Sequence, residues 1–266
     1  MPELPEVETT AQLLGPALVG STIVDVQLSW PRHTPDPERL IRELPGHAVR
    51  DLGRRGKYLV VGLEPSDRTL FVHLGMSGRL TVRPADALPD PYARTVFVLQ
   101  DGRQWRFADP RKFGRVLLVA DPEEVTGRLG PEPLAGEFTA DWLAAGMAAR
   151  RRAVKPLLLQ QRFLAGLGNI YADEALHRAG VSPRRAADSL KTGEVVRLWE
   201  SIREVLNEAI AHHGTSLDWV YPDGGMQELL RVYGRAGKPC LACGTPVERE
   251  VLAQRSTHYC PRCQPG

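Results

Sequence analysis

The sequence predicts an α+β chain of more than one domain. It reads as an N-terminal helix leading into antiparallel β-structure, then a helical region, then a small metal-stabilised hairpin. Three observations predict this. Seven short β-rich stretches follow one another up to residue 120, separated by turn residues with no helical pattern between them. Helical periodicity takes over after Asp121. All four cysteines fall into two Cys-x-x-Cys pairs near the C-terminus.

The first helix is predicted at the N-terminus. Pro5 suits a first helical turn, Glu6 and Glu8 suit the positive end of the helix dipole, and Val7, Ala11, Leu14 and Leu18 recur at helical spacing. The same residues allow a chemical reading. If Met1 is removed, as is usual before a small residue, Pro2 becomes the N-terminus and its ring nitrogen a free secondary amine. An α-amino group has a pKa of roughly 7.7 to 8.0, so much of it is unprotonated near neutral pH without tuning. Attack on an aldehyde-like carbon would give an iminium directly, with Glu3 beside it as a candidate proton carrier. A helix start and a nucleophile are compatible, and the local pattern leaves both open.

The strands follow in order. Val24, Val26, Leu28 and Trp30 alternate with Asp25, Gln27 and Ser29, the period of a half-buried strand. Further strands are predicted at 58–63, 69–74, 79–83, 94–100, 103–107 and 115–120, with Asp101-Gly102 as a hairpin turn. So many strands without intervening helices predict a sandwich or barrel. Gly130-Pro131-Glu132-Pro133 reads as an interdomain linker. Helices are then predicted at 142–152, 155–164, 170–179 and 193–213, the last with Val195, Trp199, Ile202, Val205, Leu206, Ala209 and Ile210 on one face. The boundaries expected are 1–130, 131–230 and 231–266.

At 266 residues, 42% hydrophobic and 25% charged, the composition is that of a soluble globular protein. No apolar run approaches membrane-spanning length, and the acidic start lacks the basic flank and apolar core of a signal peptide, so the expected location is the cytoplasm. A net charge of +2 says little about partners, but the distribution says more. Arg50, Arg54, Arg55 and Lys57 form one basic group, Arg111, Lys112 and Arg115 a second, and Arg150, Arg151, Arg152 and Lys155 a third. Such groups could line a face for phosphates or form ordinary solvated surface.

Cys240 and Cys243 are followed, after sixteen residues, by Cys260 and Cys263, a spacing that suits a closed four-thiolate zinc site of structural role. Disulfides are the alternative, disfavoured in a reducing cytoplasm. Residues 247–252 and 256–259 could pair as a hairpin with Gln254 and Arg255 near its tip. The run from Arg162 to Ile170 reads as helix, glycine turn and helix start, which would aim backbone N–H groups and Asn169 outward as an anion site; an ordinary helical hairpin fits equally. His73-Leu74-Gly75-Met76-Ser77-Gly78 and Asp109-Pro110-Arg111-Lys112-Phe113-Gly114 could project Met76, Arg111 and Phe113 as a wedge into a base stack. Core packing of Met76 and Phe113 is the plainer alternative.

Together these runs, with Pro2-Glu3-Leu4-Pro5-Glu6-Val7-Glu8-Thr9, Arg55-Gly56-Lys57-Tyr58, Leu129-Gly130-Pro131-Glu132-Pro133-Leu134 and Gly168-Asn169-Ile170-Tyr171-Ala172-Asp173-Glu174, closely resemble the formamidopyrimidine-DNA glycosylases over essentially the whole chain. Leu4 and Asn169-Ile170-Tyr171 look more like that family than like its relative endonuclease VIII, which favours oxidised pyrimidines. The resemblance implies an N-terminal β-sandwich, a helix-two-turn-helix domain and a β-hairpin zinc finger holding one structural zinc. Double-stranded DNA carrying oxidised bases or abasic sites would bind between them. It also implies a monomer acting at the bacterial nucleoid, without a membrane.

The resemblance assigns roles as well. Pro2 would attack C1′ of the damaged nucleotide, Glu3 would move protons, and Lys57 would contact lesion and phosphates and assist elimination. Asn169 and Arg255 would grip the phosphate backbone, Arg255 also taking part in the second elimination. Met76, Arg111 and Phe113 would fill the gap left by the flipped nucleotide; Arg150, Arg151 and Lys155 are expected as DNA contacts from their basic clustering alone. Two departures from the family pattern stand out. Tyr92 takes the place of a usual histidine at a phosphate contact, and the segment 217–231, which in the family closes over the flipped base, looks short, with Pro222-Asp223-Gly224-Gly225 reading as a tight turn. The competing functions are a non-catalytic damage binder and an endonuclease VIII-like glycosylase.

Overall fold

The computed structural model describes residues 1–216 and 224–266. By packing, the chain groups into two compact units, one of residues 1–127 and 213–224, the other of 128–212 and 225–266.

The first unit starts with helix α1 (Leu4–Leu18), whose residues Val7, Ala11, Leu14 and Leu18 are all buried, as their spacing requires. Two four-stranded antiparallel sheets follow. One is ordered β1 (Ile23–Leu28), β6 (Ala93–Leu99), β7 (Gln104–Ala108), β5 (Arg79–Arg83); the other β2 (Ala48–Arg55), β3 (Tyr58–Glu64), β4 (Thr69–His73), β8 (Arg115–Val119). Inward-facing side chains of both sheets, among them Leu59, Val61, Val72, Phe97, Trp105 and Phe107, join those of α1 in one core. Burying each large apolar side chain contributes about 1.5–3 kcal/mol, so α1, and with it the N-terminus, is fixed on the sandwich by several such terms.

One expectation is corrected here, and two elements are added to those the sequence predicts. The alternation through Val24 fails because the register shifts between Ile23 and Asp25, so that Ile23 and Val26 point inward and Val24 is left 45% exposed. Strand β2 shows no alternation in the sequence because its charges fall on both faces: Arg50 and Asp51 are exposed, whereas Arg54 turns in to pair with Glu8 of α1 at 3.0 Å. Helix α2 (Pro37–Glu43) is the second addition, and Asp36 caps it by accepting from the N–H of Arg39 at 2.9 Å.

The short helix α3 (Glu123–Thr126) still belongs to the first unit; the second contains α4 (Ala140–Ala148), α5 (Val154–Leu158), α6 (Asn169–Ala179) and α7 (Thr192–Ala211). Helix α5 is shorter than the predicted 155–164 because Gln160 to Leu167 forms tight turns instead. Gln161 Oε1 accepts from the Gly166 N–H at 2.9 Å, and Gly166 takes φ +82°. The Gly130 stretch docks on those turns. Its N–H donates to Gln161 O at 2.8 Å, and a Cβ there would lie 2.5 Å from Phe163 O, so only glycine fits. The hairpin β9 (Glu248–Leu252) and β10 (Arg255–Tyr259) packs in this unit through β10 against α6. Its turn residues Ala253 and Gln254 both have positive φ, the geometry of a two-residue hairpin loop.

Candidate functional site

In the first unit the N-terminus is held by an interlock of carboxylates. Glu3 is the N-cap of α1, and the Glu6 side chain closes a capping box by accepting the Glu3 backbone N–H at 2.8 Å. The second Glu6 oxygen accepts from Thr215 twice, at 2.8 Å from the backbone N–H and 3.2 Å from the hydroxyl. Gly214, at φ +74°, passes so close that a Cβ there would meet Glu6 Oε1 at 2.7 Å. Glu3 and Glu6 are 2% and 3% exposed, and Pro2 is buried beside them. The residue that would carry the amine is thus fixed from its own C-terminal side before any substrate arrives. Glu6 and Thr215 were missed in the sequence reading, since their pairing spans most of the chain.

Lys57 lies in the two-residue turn between β2 and β3 and is 7% exposed. It is near enough to His73 to act on it electrostatically. Burial first, then the charges of Lys57 and Arg115, hold the His73 imidazole down to about 4. His73 Nδ1 accepts from the Gly75 N–H at 3.1 Å, so the neutral ring carries its proton on Nε2. His73 was read only as part of a turn, although it faces the same lysine.

The two glycine-rich loops come together. Met76 is 36% exposed, Phe113 53% exposed, and the Arg111 guanidinium lies 5.2 Å from the Phe113 ring centroid. Core packing of Met76 and Phe113 is therefore not what the chain adopts. The organiser is Asp109, 1% exposed, which the sequence reading passed over. Its Oδ1 accepts from the Ser77 hydroxyl at 2.6 Å and from the Arg111 N–H at 3.2 Å, and its Oδ2 from the Gly114 N–H at 2.7 Å. The backbones touch as well, since a Cβ on Gly75 would lie 2.6 Å from Gly114 N. Tyr92 is on the same rim, 50% exposed, with the Arg94 guanidinium 5.9 Å from its ring and its carbonyl accepting from the Asp109 N–H.

In the second unit Asn169 opens α6 and donates from Nδ2 to Ser256 Oγ at 3.3 Å; its buried Oδ1 has no partner among the described residues. Arg255 is exposed at the start of β10. Arg150 and Arg151 are exposed beyond α4, Arg150 with its guanidinium 5.1 Å from the Phe163 ring. Lys155 does not join them. It is 0% exposed, pairs with Asp173 Oδ1 at 2.7 Å, and donates to Ser256 O at 2.7 Å and Thr257 Oγ1 at 2.9 Å. The ion pair and the two hydrogen bonds turn its ammonium inward, so its expected DNA contact is corrected to a strut that fixes the hairpin tip. Glu174, one position on, accepts from the N–H groups of Arg231, Val232 and Tyr233. Residues 217–223 lie outside the described residues, and with them the first half of the expected tight turn at 222–225 and nearly half of the 217–231 segment.

Cys240, Cys243, Cys260 and Cys263 bring their sulfurs within 4.8 Å of one another. A tetrahedral zinc–thiolate site with bonds of about 2.3 Å has sulfurs roughly 3.8 Å apart. Cys240–Cys263 at 3.9 Å and Cys243–Cys260 at 3.5 Å fit that edge and are far too long for disulfides. Burial pushes the Cys260 and Cys263 thiols up, whereas hydrogen bonds from Thr245 bring Cys243 down to about 6. Four thiolates this close need a cation, and the donor set fits one zinc ion in a closed, structural site.

Residues 1–116 match the formamidopyrimidine-DNA glycosylase N-terminal domain, residues 129–220 the formamidopyrimidine-DNA glycosylase H2TH domain, and residues 237–266 a zinc finger found in FPG and IleRS. The chain is 45% identical over 273 residues to the formamidopyrimidine-DNA glycosylase of Herpetosiphon aurantiacus, covering 99% of this chain and 100% of that one. Among solved structures it is similar to the MutM (Fpg) protein of Thermus thermophilus, with TM-score 0.89 and 44% identity over 99% of this chain and 98% of that one. It is also similar to Lactococcus lactis Fpg in complex with DNA containing an abasic site, with TM-score 0.93 and 34% identity over 99% and 100%.

Proposed function

The chain belongs to the formamidopyrimidine-DNA glycosylase family, and on that premise we propose that Pro2 is its nucleophile and the groups around α1 and the glycine loops its reaction centre. The enzyme is a DNA glycosylase and abasic-site lyase of base excision repair that removes oxidised purines from double-stranded DNA. One zinc ion, held by Cys240, Cys243, Cys260 and Cys263, stabilises the finger and leaves no position for chemistry.

With Met1 removed, the Pro2 nitrogen bonds to C1′ while the glycosidic bond breaks and the base leaves with a proton. Glu3 carries protons to and from the sugar as its ring opens to the iminium. The iminium draws electrons from the C1′–C2′ bond and acidifies the 2′ hydrogens. Loss of one 2′ proton expels the 3′ phosphate, and a second elimination expels the 5′ phosphate. Lys57 and Arg255 offer cationic charge to the departing phosphates, and Asn169 holds the backbone. Met76, Arg111 and Phe113 occupy the space vacated by the flipped nucleotide, with Tyr92, Arg150 and Arg151 on flanking phosphates. Functionally the chain divides at 1–130, 131–230 and 231–266, and it works as a monomer on the nucleoid of the bacterial cytoplasm.

The observation that supports this reading best is the capping box, which holds the peptide after Pro2 through Glu3 and Glu6. The test is an end-labelled duplex carrying one formamidopyrimidine. The expected products carry phosphates on both sides of a one-nucleotide gap. Base release without strand cleavage, the result for a hydrolytic glycosidase acting through water, would contradict it.

A further inference from the structure

Helix α6 carries three polar side chains spaced by four, and each reaches a different level of the finger. Asn169 meets Ser256 at the tip, Asp173 Oδ2 accepts from the His258 N–H at 2.9 Å in the strand, and His177 Nε2 lies 3.5 Å from Cys240 Sγ. The spacing puts all three on one helix face, one turn apart. The first two contacts hold the part of the finger proposed to meet DNA. The third touches a metal ligand, and neither the zinc chemistry nor the DNA contacts use it.

We propose that His177 donates its Nε2–H to the zinc-bound thiolate of Cys240, and is the positioning residue that secures the metal to α6. A cysteine bound to zinc has sulfur lone pairs and no proton, so a hydrogen bond between these two atoms can run only from nitrogen to sulfur. That fixes the tautomer, with the proton on Nε2 and none on Nδ1, which has no hydrogen-bond partner among the described residues. The sulfur has reason to take the bond. Four thiolates outnumber the two charges of the ion, and Cys240 and Cys260 are 3% and 0% exposed, so water does little to spread the surplus. Cys260 Sγ is served by the Cys263 N–H at 3.5 Å, and His177 does for Cys240 what that amide does for Cys260. Such outer contacts orient a ligand and steady its charge, and losing one lowers metal affinity by about 10–100-fold.

The test uses the full zinc-loaded chain. His177→Phe keeps a buried ring and removes the donor, while His177→Gln keeps an N–H. In competition with a colorimetric chelator, H177F should bind zinc at least about tenfold more weakly than the parent, and H177Q should stay within a few-fold. In the cobalt-substituted proteins the thiolate-to-metal charge-transfer band should move to lower energy in H177F, because an unbonded thiolate gives up its electrons more easily, and should hold its place in H177Q. Zinc affinity and band position unchanged in folded H177F would overturn the proposal. Equal zinc loss by both variants would overturn it too, by making ring shape and not the donor the cause.

Discussion

Both units use buried carboxylates that grip main-chain amides, and the helical unit adds a buried ion pair. In the sandwich unit the anchors are main-chain groups. Glu6 grips the amides of Glu3 and Thr215, Asp109 grips those of Arg111 and Gly114, and glycines let the loops touch. In the helical unit Asp173 grips the His258 amide and Glu174 those of 231–233 in the same way, but a buried cation, Lys155, is added between Asp173 and the hairpin tip. The first arrangement fixes the course of the backbone and leaves Met76, Arg111 and Phe113 exposed. The second fixes the finger, and is worth most when every partner is present, because a buried charge that loses its partner costs far more than a surface pair contributes.

That contrast orders the expected effects. Lys155→Met should be the most damaging, leaving Asp173 buried with its cation gone and destabilising the helical unit by about 3–5 kcal/mol in urea unfolding. Lys155→Met with Asp173→Leu should recover most of that loss. If the single and double variants were equally unstable, packing and not charge would govern the unit. Cys260→Ser comes next. Opening the closed site should release zinc, unfold the hairpin and displace Arg255, lowering duplex affinity at least about tenfold, or roughly 1.4 kcal/mol, while the sandwich unit stays folded by near-ultraviolet circular dichroism. Unchanged affinity after verified zinc loss would break the link between finger and DNA.

In the sandwich unit Asp109→Ala should cost about 1–3 kcal/mol for the amides and hydroxyl left unmatched. The cost should appear as weaker binding to lesion-containing duplex, with base release from bound DNA slowed less. An effect on melting alone, with lesion affinity intact, would mean that Asp109 supports the sheet edge and not the wedge. The smallest effect concerns the 217–231 segment, which the sequence predicts to be short for the family. Each neutral hydrogen bond not made to an extruded 8-oxoguanine forfeits about 0.5–1.5 kcal/mol, and formamidopyrimidines, already poorly stacked, should suffer less. The ratio of kcat/KM for formamidopyrimidine over 8-oxoguanine, both opposite cytosine, should exceed that of a relative with a longer segment, and an equal or smaller ratio would refute the loop argument.

The same contrast explains what the sequence revealed. The N-terminal helix, the paired cysteines and the loop glycines were legible because local spacing determines them: Val7 to Leu18 repeat at the helical period, and Gly75 and Gly114 mark where backbones meet. Lys155 was misread because its neighbours Arg150, Arg151 and Arg152 are a surface cluster, and nothing within the cluster says that one member turns inward to meet Asp173. Asp109 and Glu6 were missed for a related reason. Each sits in a motif where it looks ordinary, as a turn former and a helix-start acid, and its second partner is distant in the chain, Ser77 for one and Thr215 for the other.

The central claim is that the Pro2 amine forms the covalent bond to DNA, and borohydride trapping tests it most directly. Protein with Met1 removed, mixed with duplex containing an abasic site and reduced, should form a stable crosslink, and peptide mapping by mass should place the adduct on Pro2. Protein that retains Met1 has an amide at that nitrogen and should not crosslink, and Pro2→Gly, with a mobile primary amine, should crosslink weakly. Efficient trapping by the Met1-retaining form, or an adduct mapped to Lys57, would contradict the claim.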